Sequence, residues 1–398
     1  MPHDRQRVVS VLLVISLLLL FPACRTESDS QTLRPRQLRD VPANKLAFNF
    51  QADVQTPANL ASDEAKTAPA IQQDFDSKRQ NDALLRTVMS PDGQRALALY
   101  NTADQPTTTF RIDLYSADGN FLRNLTPPTL AVVFQDSVAW SADGSTIAFV
   151  ARRNAEPQSS PTPPEFEPEP VAPSASPVPT ATVGPVFAPL AVFSTEQVYI
   201  CNRDGYELRP LTTRDGLIYF ALTWAPDGHA LAALACKESE WDGREKEFKT
   251  PAGRPRVIAT DGVERLLDDQ LAETPPVWSP DSSKIAAAFG SDIGIYDAGV
   301  KTPTQARIKL NETLLTASAV YEEKLPGKKV EPTKPDQPAN ATATAFHASF
   351  NPIVRLEWPT PEKMYLETAF IRLFNEPVHT WSRWHLVTLS PQAAVLRK

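Results

Sequence analysis

Four histidines stand beyond the first few residues of the chain, and they are the first place to look for chemistry: His229, His347, His379 and His385. A metal held by histidine needs ligand spacing such as H-E-x-x-H, and no such pattern occurs. His229 follows an Asp-Gly pair, His347 stands alone, and His379 and His385 flank WSRW, so each reads as a surface or packing residue. Acyl transfer would call for a serine on a G-x-S-x-G elbow, which the chain lacks. The carboxylate pairs Asp268-Asp269 and Glu322-Glu323 are neighbours in sequence, whereas acid–base work needs carboxyls that converge on one substrate. GSDIG at Gly290 has neither the lysine nor the following helix of a phosphate loop. No catalytic residue, no metal and no cofactor is therefore expected. The aromatic and basic side chains of HTWSRWH (Trp381, Arg383 and Trp384) suit either an interface or packing inside a sheet.

Cys201 and Cys236 lie inside apolar runs, VYICN and LAALACKE, where cysteine behaves as a small hydrophobe. Buried free thiols are expected there rather than a disulfide. Formal charge is −7, from 40 basic and 47 acidic residues, so phosphate neutralisation has no basic excess to draw on and no nucleic-acid partner is expected. Proline is abundant, 38 residues against 14 glycines, which points to long loops around a folded part.

At the N-terminus, Arg5 and Arg7 precede an uncharged run from Val8 to Phe21, followed by Pro22-Ala23-Cys24. Fourteen apolar residues are short for a membrane span and suit the core of a signal peptide. A small residue directly before cysteine resembles the lipobox of bacterial lipoproteins. That resemblance implies a signal peptide over 1–23, lipid on the Cys24 sulfur and a polar tether over 24–43. The expected location is then extracytoplasmic, with the membrane as one partner through the lipid.

The elements that would position any site come from an internal repeat. VMSPDGQRALALY from Val88, AWSADGSTIAFVA from Ala139, TWAPDGHALAALA from Thr223 and VWSPDSSKIAAAF from Val277 align, with a worn copy, EWPTPEKMYLETA, from Glu357. The aligned position reads Met89, Trp140, Trp224, Trp278 and Trp358, so four of the seven tryptophans fall on it. Downstream of each copy comes a second strand pair around a turn, as in RIDLYSADGNFLRNLT and QVYICNRDGYELRPLT. Each unit is therefore four short antiparallel strands, the content of one β-propeller blade.

The Ser-Pro-Asp-Gly turn has a physical logic. Proline presets φ, aspartate bonds its own backbone and glycine takes the left-handed conformation. Asp92, Asp143, Asp227 and Asp281 are thus turn residues, and the tryptophans fill the space between blades. Spacings along the aligned position are 51, 84, 54 and 80 residues, and the two long ones imply insertions. One is proline-rich, over 156–189; the other is polar, over 316–350; both read as disordered loops. The expected fold is all-β: a propeller over 44–398 with its first legible blade from about residue 84. Six blades are expected, five of them legible, with five and seven as alternatives. NKLAFNFQAD from Asn44 is a strand able to close the ring, residues 61–86 look weakly helical or loop-like, and a worn sixth blade could draw on this N-terminal stretch and the second insertion.

The motifs WSADGSTIAF, WAPDGHALAA and WSPDSSKIAA, each leading to a strand and an Asp-Gly turn, resemble the TolB-like propeller family. The resemblance covers roughly residues 84–398 without the insertions. It implies an envelope propeller that binds another macromolecule, here an unidentified envelope protein or polysaccharide. The separate α/β domain that precedes the propeller in TolB itself has no room in the 60 or so residues after Cys24. Similar blades precede a hydrolase domain in prolyl-oligopeptidase-type peptidases, and without a nucleophile elbow that activity is not expected. A propeller enzyme with its site in the central funnel is the competing expectation.

Overall fold

The second strand of each repeat is apolar at nearly every position (ALALY, IAFVA, LAALAC, IAAA), and such a run needs cover on both faces. The computed structural model supplies it. It describes residues 37–57, 67–103, 106, 108–153, 193–323, 349–372 and 381–391. Ala96–Tyr100, Ile147–Ala151, Leu231–Cys236 and Ile285–Ala288 are buried along their whole length. The described residues form five antiparallel sheets.

Blade one comprises Asp82–Met89, Arg95–Thr102, Arg111–Ser116 and Phe121–Asn124. In blade two the first strand is split into Leu130–Val132 and Ala139–Trp140, followed by Thr146–Arg153, Gln197–Asn202 and Arg209–Pro210. Leu217–Trp224, Ala230–Lys237, Arg254–Ala259 and Glu264–Leu266 make blade three. Blade four is Val277–Trp278, Lys284–Phe289, Asp292–Asp297 and Gln305–Lys309. Blade five takes Ile353–Thr360, Lys363–Arg372 and Trp381–Pro391 from the C-terminal part, and its fourth strand from the N-terminal part: β1, Leu46–Gln51. β1 pairs with the third strand from Leu46↔Pro391 to Gln51↔Leu386.

Consecutive blades stack face to face. Leu97, Leu99, Ile112 and Leu114 of blade one meet Trp140, Ile147 and Tyr199 of blade two in one apolar cluster. Equivalent clusters join blades two and three, three and four, and four and five. This is a β-propeller. The aligned positions of the repeat face one another in register: Met89↔Ala96, Trp140↔Ile147, Trp224↔Leu231 and Trp278↔Ile285. Only the worn copy slips, with a register shift after Glu357↔Tyr365.

A buried indole N–H must find an acceptor. Trp140 Nε1 donates to Val88 O at 3.0 Å, Trp224 to Ala139 O at 3.3 Å and Trp278 to Thr223 O at 3.1 Å. Each acceptor is the residue before the aligned position of the preceding blade. Trp358 instead donates within its own turn, to Pro361 O at 3.2 Å. Met89 has no N–H to give and is 43% exposed.

The described residues form five sheets and no sixth, and those before Leu84 make no sheet of their own. That stretch contributes β1 and a helix, α1 (Pro69–Lys78), whose Ile71 and Phe75 cover the face of blade one carrying Ala96, Ala98, Tyr100 and Tyr115. Arg79, just past α1, ties the helix down: it bonds Asp113 at 2.6 Å and lies over the rings of Phe75 and Tyr100. Two more helices follow, α2 (Glu238–Lys246) and α3 (Asn311–Glu323). α3 includes residues 316–323 of the segment read as the second insertion, and Ser349–Phe350 pairs with the second strand of blade five. Residues 324–348 and the whole insertion 156–189 lie outside the described residues.

Attachment of the N-terminal segment rests on a buried ion pair. Lys284 and Asp297, whose side chains are each only 3% exposed, meet at 2.9 Å, and Asp297 also accepts from Ala43 N at 3.1 Å and from Thr304. Burial works against the charged carboxylate, yet the bonds from Thr304 and Lys284 hold Asp297 below its ordinary value.

Gly93 and Gly119 both have positive φ, +67° and +83°. A Cβ on Gly93 would meet nothing, whereas one on Gly119 would lie 2.8 Å from the backbone of Ala70 in α1. Gly93→Ala should therefore cost about 1 kcal/mol of backbone strain. Gly119→Ala should add an overpacking cost of about 1–3 kcal/mol. Urea unfolding of the two variants checks the difference, and equal costs would mean that α1 does not press on that turn.

Candidate functional site

Local turn chemistry makes one end of the propeller uniform. In blade one, Ser90 Oγ donates to Asp92 Oδ1 at 2.6 Å, and Gln94 N donates to the same oxygen at 3.1 Å. Ser141, Asp143 and Ser145 repeat this in blade two, as do Ser279, Asp281 and Ser283 in blade four. Asp227 keeps only the backbone bond, from His229 N. The serine hydroxyl, with the Gln94 N–H, holds Asp92 at about 2, and the same bonds lower Asp143. Both carboxylates are thus occupied in the turn.

In blades one to four the turn between third and fourth strands is stitched to this first turn, and in blade five the end of the third strand takes that role. The bonds are Ala117 N to Gln94 O, Arg203 N to Ser145 O, Thr260 N to His229 O, Ala298 N to Ser283 O and Leu389 N to Glu362 O, at 2.7–3.1 Å. Nine turns therefore lie at one end, here the turn end. Ala43 N and Asn44 N are bonded to Asp297 and Thr304 at this same end, so the N-terminal segment joins the propeller there.

All remaining connections lie at the opposite end, here the connection end. They run between second and third strands and from one blade to the next. Arg153 and Phe193, which flank the proline-rich stretch, are there, and so are α2 and α3. The long intervals of the repeat thus open on a single face. Chain spacing alone does not reveal this; the strand count between each interval and its nearest Asp-Gly turn would have.

A polar network is buried beneath this face, between blade five and α3. Arg383 pairs with Asp53 at 2.7 Å and donates to Ser318 Oγ at 2.7 Å. Ser318 in turn donates to Asn351 Oδ1 at 2.8 Å. His385, fully buried, accepts the Asp53 N–H at Nδ1 (3.3 Å), so its own proton sits on Nε2, which donates to Thr368 Oγ1 at 2.9 Å. Its ring stacks on Phe50 at 5.4 Å. Burial, helped by the Arg383 charge, pushes His385 down to about 4 against the pull of Asp53.

A cleft of about 500 Å³ lies beside the network, lined by Phe50 and Ala52 at the end of β1 and by Glu312, Thr313, Thr316 and Ala317 of α3. One carboxylate, two hydroxyls and an aromatic edge can hold a ligand by contact and hydrogen bonding. Among the described residues, no group of three or more His, Cys, Asp or Glu could hold a metal ion.

The residues singled out in the sequence are scattered. Arg383 and Trp384 are 5% and 8% exposed, so they do not form a surface patch with Trp381. Strand alternation sends Arg383 and His385 to one face of blade five and Trp384 to the other, and both faces are covered. The Trp381 side chain, Cys24, His347 and His379 lie outside the described residues. His229 is exposed on a turn. Asp268 is taken up by Tyr296 and Arg307, at 2.5 and 2.7 Å, and Asp269 is exposed. Cys201 and Cys236 are free and buried, and burial pushes both thiols up to about 12. Asp53, Ser318 and the α3 cleft carried no sequence signal, because each acts through long-range packing.

No protein-family model matches the chain, and no curated protein is similar to it in sequence. Among solved structures, it is similar to a prolyl endopeptidase at 10% identity and TM-score 0.40, over 86% of this chain and 42% of that one. It therefore spans less than half of the endopeptidase chain. Similarity to a candidate TolB from Agrobacterium tumefaciens has 11% identity and TM-score 0.31, over 78% and 89% of the two chains. For an oligogalacturonate lyase from Vibrio parahaemolyticus the values are 10% and 0.36, over 85% and 74%. No helix among the described residues is long and apolar enough to cross a membrane.

His385 yields a pH prediction. Its folded value near 4 lies below the ordinary 6.5, so the unfolded chain binds the proton more readily. The stability this group contributes is complete above pH 6.5 and is lost as pH falls from there towards 4, by on the order of 3 kcal/mol. Unfolding free energies of the native chain and His385→Gln, measured from pH 7.5 to 4, should therefore converge as the solution is acidified. A constant gap between the two would refute the assignment of a buried neutral imidazole.

Proposed function

We propose that this chain is a lipid-anchored, TolB-like β-propeller of a bacterial cell envelope. It binds an envelope protein or polysaccharide through its connection end, without catalysis. The observation that carries the reading is the asymmetry of the two ends. Nine turns lie at the turn end, stitched together by recurring backbone bonds, while α2, α3 and the residues flanking the long intervals lie at the other. Loops placed on a rigid scaffold are where binding residues concentrate.

The anchor agrees with this orientation. Arg5, Arg7, the uncharged run to Phe21 and Pro22-Ala23-Cys24 supply the lipoprotein signal. Thirteen residue steps separate Cys24 from Gln37, a reach of at most about 45 Å. Since the N-terminal segment joins at the turn end, a lipid on Cys24 holds that end towards the membrane and leaves the connection end turned outward.

Two measurements test the reading. Cys24→Ser should leave an unprocessed precursor that no longer partitions with membranes through a lipid; unchanged lipid labelling would refute the anchor. Photo-crosslinking groups at Thr313 and Thr316, in the connection-end cleft, should yield adducts in intact cells, and groups at Asp118 and Asp261, in turn-end loops, should not. Adducts from the turn end alone would place binding on the wrong face.

A further inference from the structure

Helix α2 stands at the connection end, between the second and third strands of blade three, and none of its residues is fully buried. It is nevertheless firmly held. Lys237 N donates to Glu240 at 2.9 Å, and Glu240 grips Arg254 through two bonds of 2.8 and 2.9 Å. The Trp241 ring sits 5.3 Å from Phe134 and 5.4 Å from Phe220. Arg244 bonds Thr250 O at 2.6 Å and pairs with Glu273.

The way α2 ends is unusual. Lys249 N donates to Arg244 O at 2.9 Å and Phe248 N to Glu245 O at 3.0 Å, the two bonds of a Schellman termination. That motif requires a left-handed residue just after the helix, a place that favours glycine. Here the residue is Phe248, with φ +54° and a side chain 98% exposed. Two costs meet at one position: backbone strain from a bulky residue and a large ring in water. Among the described residues with positive φ other than glycine (Asp53, Glu207, Ala221, Phe248 and Ser282), only Phe248 brings an aromatic ring.

We propose that Phe248 is the anchor of a protein-docking surface, its ring seating in an apolar pocket of a partner protein rimmed by mixed charge. The proposal rests on the binding reading above and names the contact residue and the class of partner. A rigid platform that presents one aromatic side chain loses little freedom on binding, as hot-spot residues require. Local charge favours a protein over a lipid surface. Asp242, Glu245 and Glu247 balance Arg244, Lys246 and Lys249, so the cationic excess that draws a loop to anionic lipid is missing. The connection end also faces away from the end where the N-terminal segment attaches.

The test uses the full chain in its own membranes. A photo-reactive phenylalanine at position 248 should form an adduct with one protein, which is then purified and titrated against the native chain, Phe248→Gly and Phe248→Tyr. Phe248→Gly should weaken binding at least tenfold while raising the folding equilibrium constant about two- to fivefold, because the strain is relieved. Phe248→Tyr should bind within about threefold of the native chain. A glycine variant that binds equally well, or one that is less stable, overturns the proposal, as does the absence of a protein adduct. Capture of the probe by vesicles of phosphatidylethanolamine and phosphatidylglycerol instead of by a protein overturns it too. If these fail while Thr313 and Thr316 still give adducts, the binding reading stands and only the role of Phe248 falls.

Discussion

An indole N–H buried between two sheets has to find an oxygen, and in this protein that need sets the distance from blade to blade. Trp140, Trp224 and Trp278 each reach back to a carbonyl on the innermost strand of the blade before. The bond itself contributes only about 1 kcal/mol, but leaving the donor unmet would cost more, so the spacing is held from both sides. Where the repeat begins, Met89 has no donor; where it ends, Trp358 turns into its own loop. Both ends of the series therefore rely on other devices. β1 completes blade five, the Lys284–Asp297 pair fastens the chain that leads into it, and α1 covers the free face of blade one. Breaking a pair as buried as this typically costs about 3–5 kcal/mol, and the N-terminal segment is tied to it through the Ala43 N–H bond to Asp297.

How much of this was legible follows from how local each feature is. The aligned tryptophans, the turn aspartates and the buried cysteines are set by contacts a few residues long or by strand alternation, and the sequence shows them directly. β1 was readable as a strand, since LAFNFQ alternates, although its pairing with residues 386–391 was only one option. Among the described residues no sixth sheet forms. The stretch drawn upon for it holds α1, whose Ile71 and Phe75 give too little periodicity to declare a helix against a sheet. Residues 316–323 read as loop only when grouped with the polar stretch from Lys324, for α3 itself carries Leu314, Leu315, Ala317, Ala319, Val320 and Tyr321, with Leu314 and Ser318 one turn apart on its buried face. In HTWSRWH, Arg383 and Trp384 take the packing alternative. A cluster in sequence is split by a strand into two faces, and Arg383 is drawn inward by Asp53, which is 330 residues away.

The two ends of the propeller differ because one cannot accept change and the other can. At the turn end, the first turns of blades one to four are closed by their own aspartate and bonded to the neighbouring turn, so an added residue would break several bonds together. At the connection end, few such constraints recur from blade to blade, and insertion there costs mainly loop-closure entropy, which grows slowly with length. Variation accumulates where it is cheap, and a face that varies against a fixed scaffold is the one that can acquire a partner. The Arg383 network fits this view, since it steadies β1 and α3 from below and meets solvent through Asp53, whose side chain is 35% exposed.

Ser282 and Phe248 share the left-handed backbone and show how strain can be told apart from function. Ser282 replaces the glycine of the Ser-Pro-Asp-Gly turn, at φ +58°. Its hydroxyl accepts the Asp227 N–H of blade three at 3.0 Å, so the cost is offset by a bond between blades. Asp53, at φ +54°, is likewise compensated by Arg383. Among the described residues Phe248 receives nothing comparable: it is almost wholly in water, although glycine would serve the helix end better. Strain with an internal return is structure. Strain without one points outside the molecule, and here it points from the end of the propeller where the repeats leave the chain free to vary.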